Sequence, residues 1–312
     1  MTQRILVLGA NGYVGRRIVA ALAASDWAEP IAGLRRPAPA LTVNQEIFDA
    51  TDSAALQRVL AQADGVVNCV AGAPGVMVQG AIALRDALAA LPSLPLVHFS
   101  SMSVYGPAQG AIDESQPLAQ GLSGYGGAKV EAERVLAEHA VMLRPGCIYG
   151  PGSPQWSLRI ASLLQAGRIG DLGAAGDGCS NLVYIDDVVA AVLAALRLPE
   201  VKPGQAFNLA MAQAPDWNAY FLAYARALGA VPLRRIGARR LKIETRLLAP
   251  ALKIAEIGLR RIGLTVPPPI PPSLLRLWGQ DIRLISAQAE KTLGLSWTAL
   301  EQGLAATVAQ RA

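Results

Sequence analysis

Residues 4–15 read RILVLGANGYVG, an apolar run that flows straight into three glycines, Gly9, Gly12 and Gly15, spaced GxxGxxG. The next stretch, GRRIVAALAAS, repeats its apolar residues at helical intervals. A strand that turns at once into a helix needs a residue tolerant of positive φ at the corner and backbone bare enough to lie against a pyrophosphate. The helix start then offers unpaired N–H groups and partial positive charge to the phosphates. A glycine triplet alone is a weak sign. Between a strand and an amphipathic helix, it predicts a dinucleotide site formed by Gly9, Asn11, Gly12, Tyr13, Val14 and Gly15.

Outward from this loop the same unit repeats. RILVL, PIAGL, GVVNCV and LPLVHFS read as buried strands, with GRRIVAALAAS, SAALQRVLAQA and QGAIALRDALAAL as helices between them. Units of this length imply a parallel sheet with helices on both faces, and right-handed crossovers make it doubly wound. The expected architecture is α/β. A Rossmann-type dinucleotide-binding domain covers residues 1–151, with 176–212 returning to it, and a smaller substrate lobe with C-terminal helices covers 152–312. Gly- and Pro-rich stretches after Pro151 mark the change, VPPPIPPS at 266–273 must be extended, and AFNLA at 206–210 is expected to rejoin the main sheet.

The 312 residues suffice for a large core, and 52% of them are apolar, much of that Ala and Leu. No apolar run approaches the ~18 residues of a spanning helix. The N-terminus lacks the charged start, long apolar centre and cleavage site of a signal peptide, so the expected compartment is the cytoplasm. Cys69, Cys147 and Cys179 have no CxxC spacing and read as reduced thiols, and with only His98 and His139 as histidines no metal site is expected. The net charge of +5 is local, because nine Arg or Lys stand against Glu244 and Glu256 between Leu233 and Ile262. A basic balance confined to one arm gives no reason to expect nucleic acid as a partner.

The second strand ends in GLRRP, where an acid usually holds a free ribose 2′-hydroxyl and an Arg a 2′-phosphate. Arg35 and Arg36 stand there without an acid, either as a solvated basic turn or as a guanidinium site for the extra phosphate of NADP(H). Further on, IFDATD places Asp49 and Ala50 at the end of the third strand, where the carboxylate can accept from an adenine amino group, while Asp52 reads as a helix cap.

In SGYGGAKVEAE, Tyr125 and Lys129 are i,i+4 neighbours on one helix face with small residues between them. A phenol is a poor acid or base at neutral pH, and an ammonium fixed nearby is expected to lower its pKa. The phenol could then exchange a proton with a substrate oxygen while hydride moves at the adjacent carbon. HFSSMSVYG supplies Ser100, Ser101 and Ser103 as hydroxyls for the same oxygen.

GANGYVG, SSMSVYG, YGGAK, LRPGCIYGPG and YIDDV, in this order and nearly end to end, resemble the extended short-chain dehydrogenases/reductases, the NAD-dependent epimerase/dehydratase family. The resemblance implies that Tyr125 is the general acid/base, that Lys129 lowers its pKa and binds the nicotinamide ribose, and that Ser101 polarises the substrate oxygen, with Ser103 lining the same pocket. It also implies cofactor contacts at Val70, Ala71 and Gly72, and places Pro145, Cys147 and Ile148 beside the nicotinamide. Members often dimerise through the YxxxK helix. The face EAERVLAEHA suits a homodimer and a solvated surface equally.

The chain departs from the sugar-nucleotide pattern GDGxxxRDFxYVDD, whose Arg holds a diphosphate. Ser180 stands at that position, followed by Asn181, and Met102 and Ser103 replace the Asp–Glu pair of dehydratases. The first expectation is therefore an oxidoreductase that uses NADP(H) to reduce a ketone or aldehyde, or oxidises the alcohol in reverse. The second is a sugar or nucleotide-sugar epimerase with tightly held NAD(H), and the third a non-catalytic dinucleotide sensor, which the complete Ser–Tyr–Lys set argues against. Trp156, Asn181, Trp217 and Tyr220 are pocket candidates, although aromatic residues there are as often core. The basic arm 234–262 reads as lid helices, as a peripheral membrane contact, or as inward arginines for an acidic substrate.

Overall fold

A computed structural model describes residues 2–250, 252 and 267–310, so the part of the basic arm containing Lys253, Arg260 and Arg261 lies outside the described residues. In chain order the first half comprises β1 (Gln3–Leu8), α1 (Tyr13–Ala23), β2 (Ala28–Leu34), β3 (Asn44–Ile47), α2 (Ser53–Leu60), β4 (Gly65–Asn68), α3 (Pro74–Leu88), β5 (Leu96–Phe99), β6 (Gly110–Ile112), α4 (Gly124–Leu136), β7 (Ala140–Pro145) and β8 (Cys147–Tyr149). The second half comprises α5 (Arg159–Gln165), β9 (Leu182–Tyr184), α6 (Ile185–Arg197), β10 (Ala206–Leu209), α7 (Trp217–Ala227), α8 (Ala238–Ile243), α9 (Pro272–Trp278), β11 (Ile282–Leu284), α10 (Ala287–Leu293) and α11 (Leu300–Ala309).

Seven strands form one sheet in the order β10-β7-β5-β4-β1-β2-β3, every pair parallel. Strands such as GVVN and LVHF, buried along their whole length, require helices on both faces. One face is closed by α1 and α6 through Ile18, Leu22, Val188 and Val192, and the other by α2, α3 and α4 through Leu56, Leu84 and Leu136. The AFNLA segment does rejoin the sheet, as edge strand β10 beside β7.

The strand order reverses at β1, whose neighbours are β2 and β4, so a crevice opens there at the carboxyl edge. LRPGCIYG contributes to two strands. Gly146 breaks it, and β8 leaves the main sheet to pair with β9. A third small sheet joins β11 to β6, with Ile282 opposite Gly110. A separate core fills this half, centred on Trp217, Tyr220, Phe221, Tyr224 and Trp278. Among the described residues, no helix is long and apolar enough to cross a membrane.

Candidate active site

Parallel strands deliver their following loops to one edge of the sheet. Asp49 follows β3, Arg35 and Arg36 follow β2, Gly9 follows β1, Val70, Ala71 and Gly72 follow β4, Ser101 follows β5, and Pro145 ends β7. From β2 to β7 this row crosses four strand spacings, roughly 19 Å. Residues scattered over more than a hundred positions thus form a single line long enough for two joined nucleotides.

The glycines at the crevice are there for steric reasons. Gly9 has φ +76, and a Cβ on it would lie 3.1 Å from the Cys69 carbonyl carbon and oxygen. A Cβ on Gly15 would lie 2.3 Å from the Gly9 carbonyl oxygen, so only hydrogen lets α1 close on the loop. Gly12 caps α1 with no side chain over its first N–H groups, which leaves them free for an anion. Asn11 is drawn aside by Arg16, whose Nε donates to Asn11 Oδ1 at 2.9 Å. Tyr13 leans over the Gly150–Gly152 turn, with its hydroxyl 3.1 Å from where a Gly150 Cβ would stand, and Val14 packs between the two cores. This cradle fits a dinucleotide pyrophosphate.

Arg35 and Arg36 are exposed, and among the described residues no carboxylate lies within ion-pair distance of either. Asp49 Oδ1 accepts from Thr51 N at 2.9 Å and Thr51 Oγ1 at 2.8 Å, which holds this exposed carboxyl below its ordinary pKa, with Arg35 adding to the effect. Ala50 lies one residue further, lining a small cavity with Asn68, Val70, His98 and Lys129. Asp52 caps α2 by accepting from Ala54 N and Ala55 N, as its position predicts.

At the far end of the row, Tyr125 and Lys129 share one face of α4, with Lys129 Nζ 5.8 Å from the Tyr125 ring centroid. The glycines between them answer to packing. A Cβ on Gly127 would lie 2.2 Å from Leu122 O, and one on Gly126 would lie 3.2 Å from Ser103 O, so α4 lies close against the serine turn. Lys129 is 3% exposed and donates to Phe99 O at 2.6 Å, and burial lowers its pKa to about 8 against the opposing pull of Cys69 and Glu133. Tyr125 stays accessible at 46% exposure and has the Ser101 hydroxyl beside it.

The expected lowering of the Tyr125 pKa is outweighed in this geometry. Burial raises the phenol, the Ser101 hydroxyl offsets it only in part, and the ammonium sits under the ring, committed to a main-chain oxygen. The phenol is therefore held protonated at neutral pH.

The other residues singled out in the sequence separate into two groups. Ser103 lies within reach of the site: its Oγ is buried and has no hydrogen-bond partner among the described residues. Ile148 is half-buried, while Cys147 is 2% exposed with its thiol pushed well above the ordinary value by burial and its backbone N donating to Asn181 O at 2.8 Å, so its side chain is not offered to a ligand. Asn181 is not offered to a pocket. It is 1% exposed at φ +45, its Nδ2 donates to Ile282 O at 2.7 Å, and its Oδ1 accepts from Leu284 N at 2.8 Å. The amide ties β11 to the start of β9, a structural role. Trp156 packs against the buried Trp217 with ring centroids 5.4 Å apart and planes tilted by 38°, and Tyr220, 0% exposed, donates to Trp156 O, so Trp217 and Tyr220 are core. Ser180 Oγ donates to Pro215 O at 2.7 Å and cannot replace a guanidinium.

Sequence reasoning missed the buried polar groups around the site. Asn68 Nδ2 lies 3.1 Å from His98 Nδ1, Asn68 Oδ1 accepts from Val70 N, and Arg144 forks onto Glu133. The available signals were an Arg inside the apolar strand AVMLRP and a Glu one turn beyond Lys129. In the described part of the arm, Arg234, Arg235, Arg239, Arg240, Lys242 and Arg246 are all exposed, and it is Glu244 that turns inward, onto Arg168 at 2.6 Å.

The sheet order, the glycine cradle and the residues gathered at the carboxyl edge define a Rossmann-type, dinucleotide-binding fold. The chain belongs to the NAD-dependent epimerase/dehydratase family, whose model matches residues 5–210. Protein YeeZ of Escherichia coli K12 is 31% identical over 143 residues, covering 44% of this chain and 47% of that protein. A dTDP-4-dehydrorhamnose reductase of Mycolicibacterium smegmatis is 30% identical over 213 residues, covering 62% of this chain and 60% of the reductase. The chain thus spans about half to three-fifths of the length of these curated relatives. Among solved structures it is similar to a dTDP-glucose 4,6-dehydratase of Bacillus anthracis in complex with NAD, with TM-score 0.75, 16% identity and 99% and 96% of the two chains covered. It is also similar to a UDP-N-acetylglucosamine 4-epimerase of Bacillus cereus, with TM-score 0.73, 17% identity and all of both chains covered.

Proposed function

We propose that this protein is an NADPH-dependent oxidoreductase that reduces a ketone or aldehyde and catalyses the reverse oxidation of the alcohol. The observation that carries the reading is the meeting of the Ser101 and Tyr125 hydroxyls over a buried Lys129 at the carboxyl edge. When bound along the row from Arg35 to Pro145, the cofactor would supply the hydride. The chain's own groups handle the proton. Ser101 donates a hydrogen bond to the substrate oxygen and polarises the carbonyl. Tyr125, protonated at neutral pH, gives its proton to that oxygen as charge develops on it. Lys129, an ammonium at neutral pH because its pKa is about 8, stabilises the phenolate left behind.

Arg35 and Arg36, exposed at the end of β2, support NADPH over NADH, since a guanidinium there matches a 2′-phosphate. Ser180, spent on Pro215 O where the diphosphate-binding Arg of the family pattern would be, supports a substrate without a nucleotide diphosphate. The similarity to a dTDP-4-dehydrorhamnose reductase supports carbonyl reduction, while the dTDP of that protein's named substrate weighs against the second of these points. A second reading, a nucleotide-sugar epimerase with retained NAD, draws support from the chain-long structural likeness to a UDP-N-acetylglucosamine 4-epimerase.

Turnover of a panel of ketones and aldehydes, followed by the absorbance of reduced nicotinamide, tests the proposal. The expected result is NADPH oxidation by wild type that Tyr125→Phe loses. No turnover of any carbonyl, together with interconversion of nucleotide-sugar epimers by enzyme carrying copurified NAD, would replace the first reading with the second.

A further inference from the structure

We infer that the buried Glu133–Arg144–Tyr105 cluster is a positioning device for the Ser101–Tyr125–Lys129 site, fixing how helix α4, the serine turn and the end of strand β7 stand relative to one another. The inference rests on the reading of those three residues as the reaction site.

The geometry is a closed polar circuit in an apolar surrounding. Arg144 Nε donates to Glu133 Oε1 at 3.0 Å and Nη2 to Oε2 at 2.8 Å, a two-point fork. Arg144 Nη1 donates to the Tyr105 hydroxyl at 2.9 Å, which in turn donates to Asn208 Oδ1 at 2.7 Å. The Arg144 and Glu133 side chains are only 8% and 4% exposed, and Asn208 is fully buried. From Asn208 the circuit continues into the lobe, because its Nδ2 donates to Ile112 O and Ile285 O and its backbone N donates to Glu114 Oε1.

Each member stands at a fixed chain distance from a site residue. Glu133 lies one helical turn beyond Lys129, which lies one turn beyond Tyr125. Tyr105 ends the short 3-10 turn that begins immediately after Ser101. Arg144 immediately precedes Pro145, at the head of the 145–148 segment. The cluster itself touches neither hydroxyl. Its effect on them is transmitted through a helix, a tight turn and a strand, all stiff over such short distances.

Stability alone does not explain the arrangement. Removing two charges from water is costly, and well-packed apolar residues of similar volume often replace a buried pair without loss. A fully satisfied buried network does secure one geometry, because any slippage leaves a charge unpaired. Glu133 also acts electrically: of the titratable groups near Lys129, which are Cys69, His98, Tyr125 and Glu133, it is Cys69 and Glu133 that favour the ammonium against burial.

The test compares wild type with the paired replacement Glu133→Leu/Arg144→Met, which leaves no orphan charge, and with Tyr105→Phe, which keeps the ring and the ion pair. The paired variant is expected to fold, to bind NADPH within about threefold of wild type, and to lose about tenfold or more in kcat at unchanged KM, the signature of misplaced rather than missing groups. Carbon-13 NMR of labelled lysine, with Lys129 assigned through Lys129→Met, should show Lys129 of the cofactor-free paired variant titrating below its wild-type position. A folded variant with wild-type kcat and wild-type Lys129 titration would overturn the inference. If the paired variant does not fold, wild-type kcat in Tyr105→Phe would overturn it. If wild type reduces no carbonyl, the functional reading has failed, yet the Lys129 titration in Glu133→Gln still decides: a downward shift sustains the positioning role and no shift ends it.

Discussion

Lys129 Nζ donates to the main-chain oxygen of Phe99 at 2.6 Å, so the ammonium of α4 is anchored to the end of β5, one residue before the serines begin. This contact joins the helix carrying Tyr125 to the strand that leads into the turn carrying Ser101. It also buries the lysine enough to bring its pKa to about 8.

The first prediction concerns the phenol. Tyr125→Phe should reduce kcat by about a hundredfold or more, the usual magnitude for losing a positioned proton donor. NADPH affinity should stay within about twofold, because the ring remains. Steady-state kinetics beside a fluorescence titration separates the two effects.

The second follows from the buried ammonium. An unfolded lysine titrates near 10.4, whereas folded Lys129 titrates at about 8. Below pH 8 both states carry the proton and the folded state bears the full cost of burying it. Between about pH 8 and 10.4 the unfolded chain binds more protons, so this group makes stability rise with pH. Urea unfolding of wild type and Lys129→Met at intervals from pH 7 to 10 should show the difference moving in favour of wild type over that window. A constant difference would mean that Lys129 titrates normally.

The third concerns the cradle. Gly15→Ala places a methyl group 2.3 Å from Gly9 O, and either the helix or the loop must give way. NADPH affinity should fall by about tenfold or more, and stability by about 1–3 kcal/mol, typical of overpacking. Isothermal titration and thermal melting report the two losses.

The fourth separates architecture from substrate contact. Asn181→Ala leaves Leu284 N and Ile282 O without partners and puts a non-glycine lacking the amide at φ +45, so stability should fall by about 2–4 kcal/mol. KM for any carbonyl substrate of the folded fraction should not change. A raised KM with an unchanged melting temperature would return Asn181 to the pocket.

Wherever local spacing determined structure, the sequence was legible. The GxxGxxG loop, the strand-helix alternation and the return of AFNLA as β10 could be read from patterns of three to ten residues. Asn181 could not, because its role depends on β11 arriving from a hundred residues away to receive both ends of its amide. The pairing of Ile282 with Gly110 is equally remote, and no periodicity encodes it. The net direction of the Tyr125 pKa was not legible for a related reason. Spacing puts Lys129 on the right face of the helix, but only the packed structure commits its ammonium to Phe99 O and lets burial dominate. In the described part of the arm the inward charged residue is Glu244 rather than an arginine, because Arg168 lies buried beneath it.

The measurement that tests the central claim most directly is a titration of the cofactor-free protein with NADPH and with NADH, followed by quenching of tryptophan fluorescence. NADPH is predicted to bind at least tenfold more tightly, about 1.4 kcal/mol and a modest gain for a phosphate–guanidinium pair. Arg35→Ser/Arg36→Ser should erase that preference. NADH binding as tightly as NADPH, or more tightly, would contradict the account and give first place to the epimerase reading.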